Sequence, residues 1–318
     1  MKRMLALAAA FTLSLAAFGV AQAQPVTRFV TGSSPGGGLD TLARALAETM
    51  AGPMGKTIIV ESKPGGSYNI AAEFVARAPA DGNTVLLTFN VHPIAGALNP
   101  TLNYDPVKDF RAVGMIATTP YALVANPKLP GSNLKEMIAL AKTQGRSPTF
   151  ASVGAGTPQH LMLERLKHQT GVDIRMVHYK SAAGALNDVI AGHVDFSLLT
   201  IGLSEPQVKA GKIKVIAVTS AQRLPNFPDA PTAKEAGYEA FVTDGWYAML
   251  LPAKTPPAVI KQYNDALNTA LTTPALRERI LRLGATPAPG KPEVLDKVVR
   301  DDAAMWTAVI KQQGIKPE

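Results

Sequence analysis

Short runs rich in Val, Ile and Thr alternate along the chain with stretches in which apolar residues recur every three or four positions. The first pattern is typical of buried strands and the second of amphipathic helices. Their alternation predicts an α/β protein with a mostly parallel sheet covered by helices. Strands are expected at residues 26–33, 57–61, 84–89, 121–125, 149–153, 174–178, 194–199, 213–219 and 246–251. Helices are expected at residues 39–51, 69–78, 134–142, 158–170 and 182–191, and over most of 256–311 with a break at 284–290.

Some helix starts carry recognisable capping residues. Ser132 and Asn133 are alternative caps for one helix, and Glu136 is placed to bond back across its first turn. Thr255 followed by Pro256 has the pattern of an N-cap with proline in the first helical position. These residues predict where the two helices begin.

The strands and helices fall into two series, which we interpret as two α/β lobes. One lobe combines residues 24–123 with residues 238–318, and the other is residues 124–237. The C-terminal helices are then expected to pack on the first lobe, and the chain crosses between the lobes near residue 123 and near residue 238. Two crossing segments form a natural hinge, so closure around a ligand is expected.

The N-terminus has the three parts of an export signal. A positive start at Lys2 and Arg3 precedes the apolar residues 4–20, and the small-residue pattern Ala-Gln-Ala follows at residues 21–23. We expect cleavage to leave a mature chain that begins near Gln24 and resides in the periplasm. The alternative is an uncleaved membrane anchor, for which the apolar stretch is short.

Composition narrows the chemistry. The chain has no cysteine, which excludes disulfides, thiol catalysis, thiolate metal sites and a lipid anchor on cysteine. The formal charge is +8, but the basic residues are scattered and aromatic residues make up only 6%. This favours attraction of small anions over nucleic-acid binding, which needs basic patches and stacking platforms.

Two glycine-rich loops each join the end of a predicted strand to the start of a predicted helix. The first covers residues 33–40 and the second covers residues 152–160. Such loops present backbone N–H groups at a helix N-terminus, where anions bind, and their glycines allow close approach. Neither loop contains Lys or Arg, so amides and hydroxyls would hold a carboxylate reversibly. The alternative is that each loop is only a tight turn.

The candidate ligand contacts lie in these loops and at neighbouring strand ends. In open α/β sheets ligands bind beyond the carboxyl ends of strands, where Asn90, His92, Tyr179 and Thr200 are expected. For His92 the alternative is a turn histidine that is bonded locally. Asp40 is expected to cap its own loop, because its charge would repel a carboxylate. The candidates within the loops are Ser33, Ser34, Gly36, Gly37, Gly38 and Leu39 in the first, and Ser152, Gly154, Ala155, Gly156, Thr157 and His160 in the second.

Motifs spread in order along the whole mature chain resemble those of one receptor family. The most specific is Tyr-Asp-Pro-Val-Lys-Asp-Phe at residues 104–110, and the opening loop at residues 35–38 is another. Both resemble the receptors of tripartite tricarboxylate transporters, also called Bug or TctC-type receptors. Further matching segments lie at residues 60–66, 69–70, 78–82, 99–100, 151–161, 170–173, 179–180, 217–220, 228–237 and 246–247, and at residue 252.

The resemblance implies a type II periplasmic-binding-protein fold, in which two lobes joined by a hinge of two crossing segments close like a flytrap. It implies capture of a small carboxylate by the two loops and delivery to a membrane permease with a large and a small subunit. It implies no catalysis and no cofactor, and we expect a monomer. The family's ligands range from dicarboxylates to amino acids and aromatic acids. Tyr68 replaces a usual glycine and Phe89 lies in a departing segment, which favours an aromatic acid.

Other functions fit the sequence less well. Residues 32–36, Gly-Ser-Ser-Pro-Gly, have the spacing of a hydrolase nucleophile elbow, but Pro35 lacks the N–H that would line its oxyanion hole. Both loops lack the third glycine of the dinucleotide-binding pattern. His160 and Glu164 have the spacing of two metal ligands, but no third is near in sequence. A sensor that presents its ligand to a signalling kinase would have the same binding site and stays open.

Overall fold

The computed structural model describes residues 26–99, 101–143, 147–152, 157–179 and 181–315. The strands are β1 (Thr27–Thr31), β2 (Ile58–Ser62), β3 (Thr84–Phe89), β4 (Phe110–Ala125), β5 (Thr149–Ser152), β6 (Arg175–His178), β7 (Phe196–Thr200), β8 (Lys214–Val218), β9 (Asp244–Pro252) and β10 (Thr286–Pro287). The α-helices are α1 (Gly38–Met54), α2 (Asn69–Ala76), α3 (Ala95–Leu98), α4 (Leu134–Thr143), α5 (Pro158–Thr170), α6 (Ala182–Ala191), α7 (Ile201–Lys209), α8 (Pro257–Thr272), α9 (Pro274–Arg282) and α10 (Pro292–Gln313). Short 3₁₀ turns lie at Gly66–Tyr68, His92–Ile94 and Glu239–Phe241.

The strands form one sheet with two parallel halves and an antiparallel centre. Their order is β2-β1-β3-β9-β4-β7-β5-β6. β1 pairs in parallel with β2 and β3, and β5 pairs in parallel with β6 and β7. β4 is antiparallel to both β9 and β7. The predicted α/β class is confirmed, and the antiparallel centre is an addition that the sequence pattern did not predict.

β4 belongs to both halves of the sheet. Its residues 110–120 pair with β9, and from Tyr121 onward it pairs with β7. The chain returns beside this point, where the N–H of Thr243 donates to the carbonyl of Thr219 at 3.0 Å just before β9 begins. Two segments therefore cross side by side between the halves. The lobe boundaries themselves stay predictions.

Apolar side chains cover both faces of each half. In the first half α1, α8 and α9 cover one face with a core that includes Leu42, Leu46 and Tyr263, and α2 covers the other face. In the second half α4 and α5 cover one face, and α6 and α7 cover the other. Each fully buried leucine contributes about 1.5–3 kcal/mol of transfer free energy. This packing fixes the positions of the loops at the strand ends.

α10 packs on both halves, whereas the C-terminal helices were expected on the first lobe only. Leu295 and Val299 lie in a core of the first half, and Trp306 and Ile310 lie in a core of the second. The helix has 22 residues, which makes it about 33 Å long. Its apolar side chains therefore reach across the region where β4 passes from one half to the other.

The structure tests the predicted helix starts. Asn133 caps α4, since its Oδ1 accepts the N–H of Glu136 at 3.0 Å, and the Glu136 carboxylate accepts the N–H of Ser132 at 2.7 Å. The expected cap at Thr255 is wrong, because α8 begins at Pro257. Within the described residues the buried Thr255 hydroxyl oxygen has no hydrogen-bond partner.

α7 and the first part of β4 were not predicted. Gly202 and Pro206 lie inside α7 and weaken its helical pattern. In β4 the register with β9 shifts near Gly114 and near Ala117, and such bulges break the strict alternation of a strand.

The two halves touch closely where Gly202, at the start of α7, meets Gly284, just after α9. A Cβ atom on Gly284 would lie 2.0 Å from the backbone nitrogen of Gly202. Gly284 also has a φ of +71°, which strains any other residue.

We predict that Gly284→Ala lowers the melting temperature by about 5 °C or more, because strain and steric overlap act together. The matched control is Gly171→Ala, where φ is +66° and no atom lies within 4 Å of the added Cβ. In the control only the backbone strain applies. It costs on the order of 1 kcal/mol of stability, which lowers the melting temperature by about 2–4 °C. Equal losses in calorimetry of the two variants would contradict the close contact.

Candidate ligand-binding site

The first glycine-rich loop is a tight turn closed by its own backbone. The N–H of Ser33 donates to Thr31 Oγ1 at 3.1 Å, and the N–H of Gly37 donates to the carbonyl of Ser34 at 3.0 Å. A Cβ on Gly37 would lie 2.3 Å from Ser33 Oγ and 3.1 Å from the carbonyl oxygen of Ser34, so a larger residue would displace the Ser33 hydroxyl. No side chain among the described residues caps α1 at its start. The first N–H groups of Gly38 and Leu39 thus have no partner within the helix.

The buried carboxylate of Asp40 holds this loop in place through hydrogen bonds. It is 1% exposed, and its carboxylate accepts the N–H of Gly36 at 2.9 Å and the hydroxyl of Ser62 at 2.9 Å. Arg44 donates to both carboxylate oxygens, at 2.9 and 3.0 Å. These bonds, that to Arg44 foremost, hold the pKa of Asp40 below its usual range. The expectation that Asp40 caps its own loop is confirmed, and its charge is neutralised locally.

Three aromatic residues gather beside the first loop. Tyr68 and Phe89 meet edge to face, with ring centroids 4.6 Å apart, and Phe89 lies opposite Tyr247 across the β3–β9 pair. Tyr68 has a φ of 75°, which costs a non-glycine residue on the order of 1 kcal/mol. A Cβ on Gly32 would lie 2.6 Å from the Tyr68 ring, so the ring rests on the backbone just before Ser33. Sequence reasoning singled out Tyr68 and Phe89 but missed Tyr247.

Asn90 lies where the two crossing segments meet. It is 3% exposed, its N–H donates to the carbonyl of Trp246 at 3.2 Å, and its side chain lies near the hydroxyl of Tyr121. A Cβ on Gly245 would lie 2.8 Å from that hydroxyl oxygen. Burial raises the pKa of Tyr121, so the phenol is neutral. Asn90 thus ties the end of β3 to β4 and to β9.

His92 is turned into the protein, which corrects the expectation that it contacts the ligand. It is 3% exposed, and its Nε2 lies 2.9 Å from the carbonyl oxygen of Pro106. Its ring packs edge to face against Phe110 at 4.8 Å and is stacked near Tyr104 at 6.3 Å. Burial lowers the pKa of His92 to about 4, so the ring is neutral and its Nε2–H donates. The alternative interpretation, a locally bonded turn histidine, holds.

The second loop starts and ends as predicted. Ser152 ends β5 with no exposed surface, and its carbonyl accepts the N–H of Tyr179 at 2.8 Å. Thr157 caps α5, since its hydroxyl oxygen accepts the N–H of His160 at 3.4 Å, and Pro158 takes the first helical turn. The His160 ring meets that of His178 edge to face, with centroids 5.6 Å apart. The predicted contacts Gly154, Ala155 and Gly156 lie outside the described residues.

Tyr179 directly follows β6 and Thr200 ends β7, the two strands that flank β5 in the second half. The Tyr179 hydroxyl donates to Asp188 on α6 at 2.6 Å, and burial, with this bond, raises its pKa to about 12. Thr200 lies opposite Tyr121 and directly precedes α7, and its carbonyl accepts the Ser204 hydroxyl at 3.0 Å. The hydroxyl of Tyr179 is therefore committed to its own half.

Strand direction brings the two loops toward each other. β1 and β3 run parallel to β4, whereas β5 and β7 run opposite to it, as the pairings with β9 and β7 require. The carboxyl ends of β1 and β3 thus point toward the second half, and those of β5 and β7 point back toward the first. The first loop follows β1, and the described ends of the second loop, Ser152 and Thr157, lie between β5 and α5. Both loops therefore begin at strand ends that point toward the place where the two segments cross.

A cavity of about 600 Å³ lies behind the first loop, between α1 and α9. Arginines at its wall are already paired, Arg279 with Glu48 and Arg282 with Glu278, both at 2.7 Å. Its positive charges are balanced locally, and it does not lie between the two loops.

The described residues contain no cluster of three or more His, Asp or Glu placed to hold a metal ion. Glu164, one of the two residues with metal-ligand spacing, pairs with Lys167 at 2.9 Å. No helix in this part of the chain is long and apolar enough to cross a membrane.

Solved structures share this architecture. MatC from Rhodopseudomonas palustris with bound malate is 30% identical, with a TM-score of 0.76 over 90% of this chain and 98% of that one. The R. palustris protein Rpa4515 with adipate is 31% identical, with a TM-score of 0.79 over 92% of this chain and 98% of that one. The fold is therefore the two-lobe α/β fold of periplasmic binding proteins, as expected.

Sequence comparisons give the family. A family model described as "Tripartite tricarboxylate transporter family receptor" matches residues 42–315. Protein BugT of Bordetella pertussis is 32% identical over 284 residues, which covers 89% of this chain and 87% of BugT. The chain belongs to the tripartite tricarboxylate transporter receptor family, whose members are substrate-binding receptors.

We predict that Asp40→Asn lowers the free energy of unfolding at pH 7 by about 1–3 kcal/mol, because the charged hydrogen bonds of the first loop are lost. The pKa of Asp40 is lowered in the folded state, so its contribution is complete above the unfolded pKa of about 4 and fades as pH falls through the lower folded value. Urea unfolding at pH 7 and pH 3 measures this.

The control is Asp265→Asn, which breaks an exposed pair with Lys261 and should cost less than about 0.5 kcal/mol. A difference between wild type and Asp40→Asn that is as large at pH 3 as at pH 7 would contradict the assigned role of Asp40.

Proposed function

We propose that this protein captures a small carboxylate between its two lobes and delivers it to a membrane permease with a large and a small subunit. The observation that supports this most is that two glycine-rich loops follow strand ends that point toward each other, each before a helix N-terminus, in a fold shared with proteins whose structures hold malate and adipate. Helix N-termini attract carboxylates through oriented N–H groups. The absence of Lys and Arg from both loops suits reversible capture.

In the proposed mechanism the carboxylate first docks on the first loop, on the N–H groups of Gly38 and Leu39 and the hydroxyls of Ser33 and Ser34. It lies against Gly36 and Gly37, whose own N–H groups bond within the loop. Closure of the lobes then brings the second loop onto the ligand. A ligand shifts the lobes toward closure only by its greater affinity for the closed form. The contacts proposed from the second lobe are Ser152, Gly154, Ala155, Gly156, Thr157, His160 and Thr200.

The lobes proposed are residues 24–123 with 238–318, and residues 124–237. We also propose that the first 23 residues are removed on export and that the mature chain acts in the periplasm, from about Gln24 onward. A receptor in that compartment meets its ligand before the permease does.

We predict that Gly37→Val weakens carboxylate binding at least about tenfold, a loss of about 1.4 kcal/mol, while the fold is kept. Its Cβ would displace Ser33 Oγ, 2.3 Å away, and the carbonyl of Ser34, 3.1 Å away. The readout is thermal unfolding of the mature protein with malate, adipate and a panel of other carboxylates. A ligand at about a hundred times its dissociation constant stabilises the wild type by about 2.7 kcal/mol.

Gly52→Ala, near the other end of α1, is the matched control, since its added Cβ meets no atom within 4 Å. This variant should bind like the wild type. Wild-type affinity in Gly37→Val would contradict the role of the first loop, and a flat response of refolded wild type to every acid would overturn the proposed function.

A further inference from the structure

The rings of Tyr68, Phe89 and Tyr247 form one surface beside the first loop, which we call the aromatic wall. Tyr68 rests on Gly32, the residue before Ser33, and meets Phe89 edge to face at 86°. Phe89 ends β3 and lies opposite Tyr247 on β9. All three side chains are partly exposed. The wall therefore stands at the carboxyl end of the strands, next to the loop proposed to hold the carboxylate.

The backbone fixes the position of Tyr68. Among the described residues it is the one non-glycine residue with a positive φ. Its N–H donates to the carbonyl of Gly65 at 3.0 Å, and the next residue, Asn69, accepts the hydroxyl of Tyr104 at 2.8 Å. Strained backbone that the surroundings hold in place is typical of ligand sites. A glycine would adopt this turn without strain, so the ring has a role beyond the turn.

The aromatic wall is neutral. Burial raises the pKa of Tyr68, and burial together with the nearby Tyr68 raises the pKa of Tyr247. Both phenols keep their protons and do not repel a carboxylate. Aromatic rings favour other rings in offset or edge-to-face contact at 4.5–7 Å. The wall offers a planar group both apolar contact and this geometry.

We propose that the aromatic wall selects a carboxylate attached to a planar aromatic ring, with the ring against Tyr68 and Phe89 and the carboxylate on the first loop. This inference rests on the proposed carboxylate function and names its ligand class. Tyr68 acts as the residue that determines specificity, because its ring lies between the first loop and Phe89.

The test compares acids that differ only in aromaticity: benzoate against cyclohexanecarboxylate, and phenylacetate against cyclohexylacetate, with adipate as an aliphatic diacid. Calorimetric titration of the refolded mature protein gives each dissociation constant. In at least one pair we expect the aromatic acid to bind the wild type about tenfold more tightly or better, as two ring contacts allow. Tyr68→Gly should reduce that ratio to about threefold or less, and Tyr68→Phe should keep it.

Thermal unfolding shows whether Tyr68→Gly remains folded, and Phe89→Leu, which keeps an apolar side chain without the ring, is a second variant expected to lower the ratio. Binding of adipate or another acid with no aromatic preference in either pair would overturn the aromatic wall and leave the carboxylate function standing. An unchanged ratio in folded Tyr68→Gly would overturn it too. Failure of every acid to bind would overturn both proposals.

Discussion

The antiparallel pairing of β4 with β9 is the interaction on which the site depends. β9 returns the chain from the second half to the first, and its ladder along residues 110–120 of β4 aligns the crossing segments. This pairing sets the strand directions that bring both loops to one place. Asn264 of α8 secures the bulged part of β4, since its side-chain amide donates to the carbonyls of Val113 and Gly290, each at 2.8 Å. A shift in this register would move one loop relative to the other.

The arginines near the first loop are paired with acidic side chains. An anion at this loop would therefore be bound by neutral amides and hydroxyls. Arg44 is paired with the buried Asp40 beside the first loop, and Arg279 and Arg282 are paired with acids of α1 and α9. The pairs of Arg279 and Arg282 are exposed and add little stability, typically below about 1 kcal/mol each. Their consequence is that the first loop presents amides and hydroxyls rather than a fixed cation. A receptor that must release its ligand benefits from that balance.

Local signals predicted much of the fold and the loops. Thr157 with Pro158 marks the start of α5. Long-range contacts set the positions of side chains that local sequence signals did not predict. His92 follows a strand end, but its ring faces inward because its Nε2–H donates a hydrogen bond to the carbonyl of Pro106, fourteen residues away. Tyr247 lies beside Phe89 only because β9 pairs with β3. No local sequence pattern predicts that pairing.

The central claim is that the protein recognises a carboxylate group through neutral donors on its two loops. Titration calorimetry of the refolded mature chain with acids and with their uncharged amides tests this most directly, using benzoate with benzamide and adipate with adipamide. We predict that whichever acid binds has an affinity at least about a hundredfold higher than that of its amide, a difference of about 2.7 kcal/mol. Equal affinity for acid and amide would contradict it.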